Sequence, residues 1–373
     1  MYKAITRSFL ATFVRGGTSN GLIIKRSILS KDETKWQPIL SSAMGSPDPS
    51  GRQLNGMGSG ISSTSKICVI STSEREDADV EYTFIQVGIK VGDLDMAGNC
   101  GNMSSAVGPV AWDEGMIEKK EIEGGEATVR MYNTNTNKTV HSTFSIDDES
   151  GKYNPTGDYS IDGVPGHASR ITMSFLDPAG AKTGKALPTG NPIDELRLQD
   201  GSSIKASLVD VANPGVFILA SDVGIPGDVT PDALGADSAT MERLEQIRRA
   251  GAAMMCLDPD VQSVPKIVLI SKPKSGDKGV NIVCRALSMQ QAHKAAPLTL
   301  ASNLGAACRM PGTLPAMTAV NAEGRDSVVI AHASGKLEVG SVMEDGKIIS
   351  ALLHRTARVL MKGDVFYTLH TND

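Results

Sequence analysis

Two stretches of this chain would be apolar on every side of a helix, and each follows a strand pattern. Residues 101–114 carry Met103, Ala106, Val107, Val110 and Ala111 among small residues, with Pro109 placed to kink or end the helix. Residues 293–308 repeat that character, with Pro297 in the first turns. A helix with no polar face has to be surrounded by protein. Strand-like residues 87–94 lead into the first stretch and 280–287 into the second. A chain of 373 residues also exceeds the usual size of one core. An α+β chain of two similar domains, each a strand-rich barrel around one central helix, satisfies both constraints. The Pro/Gly/Lys-rich stretch 177–194 reads as the linker. The expected domains are therefore 1–180 and 181–373, with the last residues free to return to the first.

Most of the remaining chain reads as short strands: a pair within 79–91, then 127–132, 171–175, 204–209, 266–270 and 280–287. Further helices are expected over 35–44, 237–255 and 349–361. Residues 1–15 carry three basic side chains and no acid, as transit peptides do, but they run straight into a glycine motif and read better as a first strand.

Composition narrows the function. The net charge of −5 is spread without long single-sign blocks, so there is no electrostatic footprint for nucleic acid or an anionic membrane. No apolar run reaches the roughly 18 residues of a membrane span. The five cysteines are odd in number and lack CxxC or Cys/His spacing, which suggests neither a disulfide framework nor a metal site. Reduced thiols in the cytoplasm are the simplest reading. Cys68, Cys256, Cys284 and Cys308 sit in apolar surroundings and read as core. A homo-oligomer is neither required nor excluded.

Cys100 differs. It lies in AGNCGN, residues 97–102, where a strand gives way to a glycine-rich turn and a helix begins. The first turn of a helix offers unpaired N–H groups and the positive end of the dipole, features that hold carboxylates and make a thiol a better proton acceptor or nucleophile. Gly98 and Gly101 would let a ligand approach the backbone, with Asn99 and Asn102 beside it. An inert cysteine in a tight turn is the competing reading. RGGTS at 15–19, followed by Asn20, combines a guanidinium, paired glycines and hydroxyls as an anion-binding loop would. A plain Gly-Gly turn is the bland alternative. The Gly/Ser run 56–65 ends at Ser65 and Lys66, just before an apolar strand. Partial desolvation there would bring the lysine toward the range of a general base, whereas a solvated lysine at a strand edge is equally usual. Weaker candidates are Met289, His293 and Ser334.

Taken together, these motifs resemble the PrpF family of 2-methylaconitate and aconitate isomerases, with relatives acting on methylitaconate and oxalomesaconate. The resemblance rests on RGGTS, the Gly/Ser run ending at Lys66, AGNCGN, DVANPGVF at 210–217, RALSMQQAHKAAPLT at 285–299 and HASG at 332–335. It spans nearly the whole chain. It implies a diaminopimelate-epimerase-like fold with the active site in the interdomain cleft, both central helix N-termini facing that cleft, and no cofactor. It further implies that Lys66 and Cys100 transfer protons, while Arg15, Gly17, Thr18, Ser19, Asn20, Ser65, Asn99, Gly101, Asn102, Met289, His293 and Ser334 contact the substrate. Asn20 stands where many members carry lysine. Epimerases of this fold use two opposed thiols, whereas the second helix here is expected to begin with Met289 and Gln290. An asymmetric pair, Cys100 with Lys66, is therefore expected to isomerise an unsaturated tricarboxylate, aconitate first and 2-methylaconitate or oxalomesaconate next. An amino-acid racemase and a non-catalytic tricarboxylate-binding protein are the rival readings.

Overall fold

The computed structural model describes residues 3–118, 121–322, 324–344 and 347–371. Among these residues the first half holds β1 (Lys3–Gly16), β2 (Ser19–Lys25), helix α1 (Gln37–Met44), β3 (Lys66–Thr72), β4 (Val80–Val87), β5 (Leu94–Asp95), helix α2 (Gly101–Asp113), β6 (Ile122–Glu123), β7 (Glu126–Asn133), β8 (Lys138–Ser145) and β9 (Ile171–Leu176). The second half holds β10 (Asp194–Arg197), β11 (Ser203–Val211), β12 (Asn213–Leu219), helices α3 (Pro231–Ala236) and α4 (Ser238–Met254), β13 (Lys266–Ser271), β14 (Ile282–Ser288) and β15 (Gln291–Ala292). It continues with helices α5 (Leu298–Ala307) and α6 (Leu314–Thr318), then β16 (Ser327–His332), β17 (Gly335–Glu344), β18 (Lys347–Arg355) and β19 (Ala357–Thr371).

The halves repeat one pairing scheme. In the first, β1 and β2 are antiparallel, β2 and β3 parallel, β3 and β4 antiparallel, β4 and β7 parallel, and β7, β8 and β9 antiparallel. In the second, β11, β12, β13, β14, β16, β17 and β18 follow the same sequence of senses. A parallel pair needs a crossover connection. The outer crossovers include α1 between β2 and β3, and α3 with α4 between β12 and β13, whereas the inner ones are α2 and α5.

α2 touches β1, β2, β3, β7, β8 and β19, and α5 touches β11, β12, β16, β17 and β18. Strands on all sides explain why residues 101–112 and all of α5 are buried. That packing also carries α2 through Pro109 to Asp113 with no break. The halves are joined by the β9–β18 pair, and β19 crosses back to run along β1.

Several expectations are corrected. Residues 349–361 lie in β18 and β19 and form no helix. Their register along β9 and β1 shows that strand pairing set their conformation. Residues 79–91 give one strand and a turn. The second central helix starts at Leu298, because Pro297 sits at its N-cap with extended ψ of 131°. Met289 and Gln290 instead make the turn between β14 and β15, both with positive φ, 53° and 56°. Cys256 is exposed, in the turn after α4.

Candidate active site

Lys66 opens β3, opposite Gly21 of β2 and Gln86 of β4. Its side chain is only 5 % exposed. Nζ donates to Gln86 Oε1 at 2.5 Å and stands 5.3 Å from the Phe84 ring centroid. Gln86 is oriented by donating from Nε2 to the carbonyls of Ser62 and Ser65. Burial pushes the Lys66 ammonium below its ordinary value, and Cys100, Cys68 and Asp95 pull the other way. Loss of solvation favours the neutral amine, the form that can accept a proton.

Cys100 is the N-cap residue of α2, in an extended conformation, and no side chain caps that helix end. Its Sγ lies 4.0 Å from Ser19 Oγ. Cys100 is partly exposed, whereas Cys68, Cys284 and Cys308 are buried. Burial raises the pKa of those three thiols, that of Cys284 to about 12, so they stay protonated and inert. Asn99 is fixed by Asn133 and Ser104, which both donate to its Oδ1.

The second half supplies the facing wall. Ser263, Lys266, Ser288, His293, Pro297, Leu298 and Thr299 line one cleft with Ser19, Lys66, Gln86, Asn99, Cys100 and Asn102. The α5 N-terminus is uncapped like that of α2. A Cβ on Gly101 would fall 2.8 Å from Leu298 Cδ2, so only glycine lets the two helix ends meet this closely. Two positive helix ends therefore converge on the cleft, an arrangement that suits an anion. The walls are latched together. Asp95 accepts from the Ser263 N–H at 3.0 Å and from Ser263 Oγ at 2.8 Å, and Thr299 Oγ1 donates to the Asn99 carbonyl at 3.4 Å.

His293 Nδ1 accepts from the Ala295 N–H at 3.2 Å, so its proton sits on Nε2. Burial, then the charge of Lys66, pushes its pKa down to about 3. His332, in the β16–β17 turn, is pushed to about 4, chiefly by burial. Both are neutral in the folded protein at pH 7. Unfolded, each would titrate near the ordinary histidine value of 6.5. Below that pH the unfolded chain binds more protons, so stability falls as pH drops from about 6.5 toward 3 to 4. After discounting for partial exposure, His293 accounts for on the order of 2 kcal/mol of this loss. Denaturant titrations between pH 4 and 7 should show that slope, and His293→Gln should flatten it.

Of the residues singled out from sequence, the structure gathers Lys66, Cys100, Ser19, Gly98, Asn99, Asn102 and His293 in the cleft, while Gly101 packs against Leu298. The others lie elsewhere. Arg15 donates to the carbonyls of Gly17 and Thr356 and, with Asn20, lines a neighbouring groove of about 530 Å³. Gly17, at φ +50°, packs where a Cβ would reach 2.1 Å from Asn102 Oδ1. Thr18 accepts from Asn102 Nδ2 at 3.1 Å. Ser65 donates to Gln53 Oε1 and to the Ile61 carbonyl, supporting the loop under Lys66. Met289 lines a separate small pocket, and Ser334 donates to the Lys294 carbonyl.

The residues that sequence reasoning missed are Gln86, Ser263, Lys266, Ser288 and Thr299. Lys266 carried a readable signal, a lysine heading an apolar strand just as Lys66 does. Ser288 and Thr299 lie within the RALSMQQAHKAAPLT stretch, whereas Gln86 and Ser263 carried no signal.

The family model described as PrpF protein matches residues 7–368. The chain is 38% identical over 371 residues to 3-methylitaconate isomerase of Eubacterium barkeri, covering 95% of both chains. It is 36% identical over 380 residues to 2-methyl-aconitate isomerase of Cupriavidus necator, again covering 95% of each. The crystal structure of a methylitaconate-delta-isomerase superposes with a TM-score of 0.76 at 36% identity, over 97% of this chain and 96% of that one. Matches that run from the first strand to the last, in sequence and in fold, mean that this chain belongs to the PrpF family.

Proposed function

We propose that this protein is an isomerase of unsaturated tricarboxylates that interconverts cis- and trans-aconitate using only its own side chains as acid and base. The observation that carries the reading is a buried amine and a partly exposed thiol, Lys66 and Cys100, on one cleft with two uncapped helix N-termini. By its name, the 2-methyl-aconitate isomerase acts on a tricarboxylate and supports that class, while the 3-methylitaconate isomerase, named for an unsaturated dicarboxylate, supports the broader class of unsaturated acids.

The chemistry follows from the substrate. The methylene of cis-aconitate lies beside one carboxylate and in conjugation with a double bond bearing others. Neutral Lys66 removes one of its protons, and the electron pair spreads into a dienolate. The former double bond then has reduced order and can rotate. Return of a proton from Cys100 restores the alkene in the other geometry. Helix-terminal N–H groups stabilise the negative charge at its peak. An opposed second thiol is replaced by Pro297, at the N-cap of α5, so a symmetric racemase mechanism lacks its partner.

The closed cleft has about 20 Å³ of free space, room for about one water. A tricarboxylate is far larger, so its binding requires the two walls to part. The test is incubation with cis-aconitate, trans-aconitate, 2-methylaconitate and oxalomesaconate in D2O, followed by proton NMR. Interconversion of the aconitates with deuterium entering the methylene is expected. Preferential turnover of 2-methylaconitate or oxalomesaconate, or no turnover of any, would overturn the assignment.

A further inference from the structure

The repeated strand scheme duplicates the position of one lysine. Lys66 is the first residue of β3 and pairs with Gly21 of parallel β2. Lys266 is the first residue of β13 and pairs with Gly215 of parallel β12. The two sit at equivalent points of the two halves, and both line the same cleft. The thiol is found on one side only.

We propose that Lys266 is a second substrate-binding lysine, whose ammonium takes a substrate carboxylate from the second half while Lys66 faces the reacting carbon from the first. This rests on the reading of the ligand as a tricarboxylate.

Lys266 is 7 % exposed, and lysine is seldom buried so far without a counter-charge. Among the described residues, no carboxylate lies within 4.0 Å of Lys66 or Lys266. Nζ of Lys266 makes one hydrogen bond, donating to the Ser263 carbonyl at 2.7 Å, and two of its three donors remain for a ligand. Buried Arg355 adds a cation behind the cleft-lining Asn102, with Nε donating to Asn102 Oδ1 at 3.0 Å. Cations gathered this way cost stability and offer nothing to the fold, unless a polyanion completes them. The duplication also matches the substrate: with Lys66 facing the reacting carbon, two helix ends leave one of three carboxylates for Lys266.

Burial lowers the Lys266 ammonium to about 8, assisted by Lys66 and Arg248 and opposed by Cys100 and Asp95, with His293 also facing it. Above that pH the free protein holds a largely neutral amine. A bound anion would recharge it, so binding should draw a proton from solvent.

The probe is tricarballylate, a saturated tricarboxylate that cannot isomerise. Its binding is measured by calorimetry at pH 8.5 in buffers of different ionisation heat, for the wild type, Lys266→Met and Lys266→Arg. Proton uptake is expected in the wild type. Lys266→Met should bind about tenfold to a hundredfold more weakly and take up fewer protons. Lys266→Arg should keep most of the affinity, yet lose the same share of uptake, because its guanidinium is already charged. Lys266→Met should melt no lower than the wild type, since exchanging a buried charge for an isosteric apolar chain is commonly neutral or stabilising. Wild-type affinity and uptake in Lys266→Met overturns the proposal, as does a lowered melting temperature with uptake unchanged, which would mark the lysine as structural. Failure of the wild type to isomerise aconitate while tricarballylate binding still depends on Lys266 would reject the reaction and uphold this binding role.

Discussion

Lys66→Met folds and binds tricarboxylate, but its kcat falls by about 10²- to 10⁴-fold, the range of a lost general base. The methionine chain fills the space beside Phe84, so packing is kept. The removed ammonium relieves a desolvation cost, while Gln86 Oε1 loses one donor and keeps Ser62 Oγ. These effects oppose each other, so melting should shift little, within about 1–3 kcal/mol of the wild type. Lys66→Arg should be nearly as slow, because a guanidinium does not release its proton in a protein and cannot serve as a base. Methylene deuterium exchange should vanish with turnover in both variants, since removal of that proton is the step lost. A variant that retains kcat within about tenfold of the wild type, or that exchanges the methylene normally, would remove Lys66 from the base role.

The parts of this site that sequence could reach share one property: their chemistry conflicts with their local setting. A cysteine between glycines where a helix begins, and a lysine heading an apolar strand, are both anomalous against ordinary packing. Each belongs to the cleft. The two central helices were legible for the related reason that no polar face appeared in their periodicity. The strands β18 and β19 were not legible. Residues 349–361 fit a helical pattern locally, and only pairing with β9 and β1, each distant in sequence, decides their conformation. The RGGTS loop divides between the cleft, which Ser19 lines, and its surroundings. Its guanidinium and glycines suit an anion in composition, yet Arg15 is held by backbone carbonyls and Gly17 by its close approach to Asn102. The loop thus braces Asn102, which lines the cleft, and adds Ser19 to the same lining. Gln86 and Ser263 are ordinary polar residues in sequence, and their place depends wholly on which strands and loops the fold brings opposite Lys66 and Asp95.

Cys100→Ala should separate the two proton transfers that Lys66→Met abolishes together. With Lys66 intact, the methylene proton can still leave and return to the same carbon, so deuterium should continue to enter cis-aconitate. Conversion to the trans isomer should fall by about 10²- to 10⁴-fold, because the group that delivers the returning proton is gone. Cys100→Ser tests whether shape suffices. Its hydroxyl can occupy the thiol's place near Ser19, but it is a far weaker acid, so its rate should stay close to that of the alanine variant. Neither substitution enters a packed core, since Cys100 is partly exposed at an uncapped helix end, and stability should remain near the wild type. NMR in D2O reads both processes in one experiment, as loss of the methylene signal and growth of the trans vinyl signal. The inverse pattern, exchange lost in Cys100→Ala and kept in Lys66→Met, would exchange the two roles and make the thiol the base. Full isomerisation in Cys100→Ala would leave the amine to carry the proton both ways, and the asymmetric pair would reduce to a single residue.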